Sequence, residues 1–254
     1  MNFMKEKKVA KSFIQDLKLN DLSQDILGLQ LVDVPFEEGK ASASVIGSSV
    51  IAFTGNVSGQ QRADLKNATC LAQLAAMKKY DPFTDTENFY RFYTEVLANV
   101  GFVIQGFDFT KHEISGTTFS VDKIVIEVLG AIATGNEVAL VQASLDALKA
   151  LSDDDGRLRL FSSSSHNSEY ANFMIGIVTQ EANGDVAFKV GAFRMNSEQN
   201  NTRFLWFSYS TSETNLFKSS QTVTLNTDVY SQVRQEIVEK LGDKATKYIA
   251  DLEI

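Results

Sequence analysis

The residues with the most chemical promise stand close together in the second half of the chain. His166 follows the run Ser162 to Ser165, and Asp153, Asp154 and Asp155 precede it. Such a set offers a nucleophile, a base and an orienting acid, the parts of a hydrolase. A serine nucleophile on a strand-to-helix turn needs a Gly-x-Ser-x-Gly frame, and the sequence has none. Four serines beside a histidine read more simply as a polar loop. His112-Glu113 lies in a strand-like pattern instead of the helix on which a two-histidine zinc motif is built, and His112 and His166 alone do not make a metal site. Asp153-Asp-Asp-Gly156 has the composition of a calcium loop, but Leu151 stands where the first ligand belongs, so a solvated acidic turn is expected. Walker and Gly-x-Gly-x-x-Gly motifs are absent. We therefore expect no catalytic, cofactor-binding or metal-binding residue and no cofactor. A hydrolase using His166 ranks as the third functional reading.

Two arginines define a different candidate. Arg194 and Arg203 flank the segment Asn196 to Asn201, where they would form a cationic mouth for an anionic ligand; surface arginines at strand ends are the alternative. Cys70 sits among apolar neighbours in a helical pattern and reads as core. As the sole cysteine it excludes an internal disulfide and a cysteine-built zinc site.

Composition narrows the classes. With 24 Lys and Arg against 32 Asp and Glu, the formal charge of −8 argues against nucleic-acid binding driven by phosphate contacts. The 44% hydrophobic content suits a packed core. No apolar run of signal-peptide length follows the N-terminal lysines, and no window has the roughly 18 uninterrupted apolar residues of a spanning helix. A soluble, cytoplasmically made protein is expected, with release by another route left open.

The elements that would hold such groups follow from periodicity. Helical spacing runs over Lys5–Leu19, and Ser58 with Gln61 forms a capping box before a small-residue face containing Leu65, Ala68, Ala72 and Ala76. A second box, Thr84 with Glu87, opens an aromatic helix ending near Asn99, and helices follow over Val121–Ala133 and Val138–Leu151. Strands are expected at Leu29–Val34, within a hairpin over Ala41–Thr54 bent at Gly47, at Phe102–Ile114 and at Leu158–Phe161. Next comes a four-strand meander, Phe173–Thr179, Val186–Met195, Thr202–Ser210 and Gln221–Asn226, with Asn183-Gly184 as a tight turn. Phe204 and Trp206 alternate with Leu205 and Phe207, so both faces of the third strand would need a cover. Helices at Asp228–Leu241 and Ala245–Leu252 complete the chain. The expected fold is a single α/β (α+β) domain over residues 1–254, a mainly antiparallel sheet covered by helices on both faces.

The helix pair Val121–Ile132 and Glu137–Leu151, followed by the strand series Phe173–Asn226, resembles the layout of the Cyt-type cytolysins. The resemblance implies a water-soluble, toxin-like, pore-forming protein that moves its helices aside and puts strands into a lipid membrane. The candidate membrane-active residues are Val121, Ile124, Val128, Val138, Val141 and Leu145. A binding or assembly module with a protein or ligand partner and no membrane activity is the alternative.

Overall fold

The computed structural model describes residues 2–32, 34–196 and 202–254, with side chains from residue 9 onward. In chain order the elements are α1 (Asn2–Asp16), α2 (Gln24–Leu27), β1 (Ser42–Ile46), β2 (Ser49–Phe53), α3 (Gly59–Lys79), α4 (Thr86–Asn99), β3 (Phe102–Val103), β4 (Thr110–Lys111), β5 (Thr118–Phe119), α5 (Val121–Gly130), α6 (Gly135–Ala150), α7 (Gly156–Ser165), β6 (Tyr170–Gln180), β7 (Val186–Asn196), β8 (Tyr209–Ser210), β9 (Leu216–Leu225), α8 (Thr227–Ser231), α9 (Arg234–Leu241), α10 (Lys244–Tyr248) and β10 (Ile249–Leu252).

The main sheet runs β10-β1-β2-β6-β7-β9-β3, with β4 also on β9. All its pairings are antiparallel except β2 with β6. That parallel pair joins the early hairpin to the later strands. One face is covered by α3 and α4, the other by α5, α6 and α7, as the expected layering requires. Gly47 turns β1 into β2 at φ +48°, and its missing side chain leaves room for Tyr248: an added Cβ would lie 2.1 Å from that ring.

Several local expectations are corrected. The Thr202–Ser210 stretch is no strand of this sheet: Phe204–Trp206 form a 3-10 turn, and Tyr209–Ser210 pair with Thr118–Phe119 in a separate two-stranded sheet. A short apolar run is equally compatible with a buried helical turn. Here Phe204 gains aromatic contacts with Phe161, Phe173 and His166 that a flat strand would not provide. The meander is therefore three-stranded, and β6 joins β7 through residues 181–185 instead of a two-residue turn.

Leu158–Phe161 and the serine run form helix α7, capped by Asp155, whose carboxylate accepts from Arg157 N. Ser165 donates back to Phe161 O, a bond that satisfies a buried hydroxyl within a helix. Phe102–Ile114 contributes only β3 and β4, separated by a stretch whose Phe107 and Phe109 turn onto α4's Tyr90. Leu29–Val34 forms no strand among its described residues, and Ala245–Leu252 is half helix and half edge strand. Ser58 and Gln61 make the expected reciprocal cap, whereas Asp85 occupies the start of α4 and the Thr84–Glu87 box does not form.

Candidate functional site

The expected cationic mouth is divided between the faces of the sheet. Alternation along β7 puts Arg194 on the α4 side, across from Asn172 and Phe217. Arg203 reaches the opposite layer, where it donates to Lys149 O in the last turn of α6 and to Leu151 O at its C-cap, each at 2.7 Å, and pairs with Asp153 at 2.7 Å. The segment between them lies outside the described residues, apart from Asn196.

Arg194 lies over the rings of Phe217 and Phe109, its Cζ 4.8 and 5.4 Å from their centroids. Its Nε is buried without a hydrogen-bond partner. It lines a cavity of about 350 Å³ with Thr86, Tyr170, Asn196, Asn215 and Phe217. Among the described residues no carboxylate lines that space.

The hydrolase residues do not converge. His166 Nδ1 donates to Ser162 O at 2.8 Å, which leaves Nε2 as the unprotonated nitrogen, buried and unpartnered. Burial lowers its pKa, although the Ser162 bond opposes that effect. The ring lies 4.8 Å from that of Phe204, while Asp153 and Asp155 are engaged by Arg203 and Arg157. Among the described residues no three His, Cys, Asp or Glu side chains gather in a metal-holding group. Cys70 is fully buried, and that burial pushes its thiol pKa far up.

The candidate membrane helices pack together on the sheet. Val121, Ile124, Val128, Val141 and Leu145 are buried, and Val138 is half-buried. Thr134 and Glu137 cap α6 reciprocally, and Glu137 also receives Lys189 of β7 at 2.8 and 2.9 Å. Desolvation is the largest influence on Glu137 and pushes its pKa up. Lys189 and the Thr134 N–H together outweigh it and leave the carboxyl below its ordinary value. One side chain thus holds the helix start and fastens it to the sheet. The i, i+3 spacing of Thr134 and Glu137 is legible in the sequence, but Lys189 is not, because it lies on a distant strand.

A second buried cation was also invisible in the sequence. Arg62 donates from Nε to Val57 O at 2.9 Å, from Nη1 to Ser42 Oγ at 2.7 Å, and from Nη2 to Lys40 O at 2.7 Å and Thr54 O at 3.1 Å. It ties the start of α3 to the segments flanking the β1–β2 hairpin.

No protein-family description and no curated protein matches this sequence. Among solved structures, the chain is similar to one titled "Structure of the Evf virulence factor", at 13% identity and TM-score 0.33 over 89% of this chain and 88% of that one. It is also similar to a delta-endotoxin, at 12% identity and TM-score 0.38 over 80% of this chain and 96% of that one.

Proposed function

We propose that this chain is a non-enzymatic, membrane-active protein of toxin-like character, which releases the α5–α6 pair and brings its long strands to a lipid bilayer. The observation that carries the reading is the β6-β7-β9 run, with strands of 11, 11 and 10 residues in unbroken register. A membrane-crossing strand needs about 9–11 residues. Among the described residues no helix is long and apolar enough to cross, so strands are the elements suited to the task.

From Val186 to Val190 on β7 and from Thr222 to Leu225 on β9 the two faces differ in the manner that a lipid-to-water boundary demands. Toward α3 and α4 this stretch presents Val186, Phe188 and Val190 with Val223 and Leu225, and toward α5 Lys189 with Thr222 and Thr224; beyond it Gln221, Ser219 and Arg194 lie on the α4 side and Phe193 and Met195 on the α5 side. The cover on the α5 side is held mainly by apolar contact. Apolar contact is non-directional, so the buried faces of α5 and α6 can exchange sheet for lipid hydrocarbon once the Lys189–Glu137 pair and the Arg203 bonds at the end of α6 give way.

Dye release from anionic liposomes tests the proposal when the native chain is compared with a variant whose α6 is tied to β2 by a disulfide at a pair of suitable Cα separation. Leakage should occur with the native chain, vanish in the oxidised variant and return on reduction. A native chain that leaves liposomes intact, or a tied form that leaks equally, sinks the proposal and favours a binding module.

A further inference from the structure

We propose that the cavity beside Arg194 is a binding site for a small molecule that carries a carboxylate or phosphate on an apolar body. This site is independent of any membrane activity.

The first argument is the valence left open on the guanidinium. Arginine carries five N–H donors, and a buried N–H without an acceptor is costly; Arg194 is half-buried, with its Nε the nitrogen withdrawn from water. Among the described residues Arg194 has neither a hydrogen-bond acceptor nor an ion-pair partner, and its buried Nε cannot turn to water. Arg62 shows how this protein treats a guanidinium that serves structure alone: carbonyls and a hydroxyl take up four donor contacts. Both guanidiniums lie over two rings, Arg62 over Phe36 and Phe53 and Arg194 over Phe109 and Phe217, but at Arg194 the rings support the side chain without consuming its donors. A planar fork held in this way is suited to bidentate recognition of a carboxylate or phosphate.

The second argument is the chemistry of the walls. The cavity, at about 350 Å³, falls in the lower part of the range for small-molecule sites. Phe83, Met195 and Phe217 supply apolar surface, while Thr86, Asn196 and Asn215 supply neutral polar groups. Among the described residues the lining contains one cation and no acid, a balance that favours an anion. Its apolar walls call for an aromatic or short aliphatic body on that anion.

Benzoate, phenyl phosphate and the neutral benzamide are suitable probes, titrated into the full chain by calorimetry at fixed ionic strength. Saturable binding of benzoate or phenyl phosphate is expected, with benzamide at least about tenfold weaker. The preferred anion identifies the head group. Arg194→Gln should weaken the anion by about tenfold or more, and Arg203→Gln should leave it within about twofold. Asn196 is exposed, so Asn196→Ala tests the lining in a variant whose folding is not at stake. It should weaken binding severalfold. If Arg194→Gln does not fold, the Nε–H resonance of Arg194 in the unaltered chain decides, since it should shift on titration with the bound fraction. Failure of both anions to bind, equal binding of benzamide, unchanged affinity in a folded Arg194→Gln, or a stationary Arg194 resonance would each overturn the assignment.

Discussion

The α3 layer and the α5–α6 layer bury apolar residues on the same sheet, yet they are fastened to it by different kinds of interaction. On the α3 side the polar ties are many. Gln73 donates to Ile46 O and Ser49 Oγ at 3.1 and 2.8 Å, Arg62 gathers the hairpin's flanks, and Lys66 pairs with Asp251 of β10. The α5–α6 side relies on Val121, Val125, Leu129, Leu145 and Leu148, all fully buried, with the Lys189–Glu137 pair as a charged tie at one end. Directional bonds lose energy as soon as geometry changes, whereas apolar contact can be replaced by any other apolar surface. The first layer is therefore the more firmly registered, and the second is the one that the proposed function treats as exchangeable.

The largest expected effects are similar in size, one in each layer. Arg62→Ala removes a buried guanidinium together with its bonds to one buried and three partly buried acceptors, and should lower unfolding free energy by about 3 kcal/mol in denaturant titration. A loss below about 1 kcal/mol would mean that those bonds do not distinguish the layers. In the exchangeable layer Leu145→Ala should cost about 3 kcal/mol by cavity formation. Native-state hydrogen exchange on that variant should show α5 and α6 opening at lower free energy than α3. Simultaneous opening of all three helices would break the comparison.

Smaller effects sharpen it. Glu137→Gln removes the charged tie and should cost about 1–2 kcal/mol at neutral pH. Because the folded-state pKa of Glu137 is depressed, the native carboxylate adds stability above its unfolded pKa. That contribution is lost as pH falls through the folded value. The stabilities of the native chain and the Glu137→Gln variant, followed by denaturant titration, should therefore draw apart as pH rises from strong acid toward neutral. A constant difference across that range would remove the charge from the account. Thr134→Ala should cost about 1 kcal/mol through loss of the α6 cap, measured by thermal unfolding.

Much of the architecture was legible because it is written in local terms. The hairpin at Gly47, the Ser58–Gln61 cap and the strands β6 and β7 follow from turn chemistry and periodicity, which act over a few residues. The errors fall where a local pattern permits two structures. Phe204–Trp206 and Leu158–Phe161 are short apolar runs without a decisive period, and burial of Phe204 against Phe161 settled both as helical turns. Of the candidate anion site, Arg194 was legible as a cation at a strand end. Its separation from Arg203 was not, because the side of a sheet on which a residue lies depends on pairing with other strands.

The chain by itself determined a packed α/β protein without an internal disulfide, since one cysteine and the alternation of apolar periods leave little else open. Tertiary structure alone decided which cations were answered and which were not. Arg62 found acceptors in segments that the hairpin brings back to it, and Arg194 found two rings contributed by the stretch before β4 and by β9. The reason is physical: hydrogen bonds and ring contacts act over a few ångströms in space, and only folding brings residues so far apart in sequence to that distance.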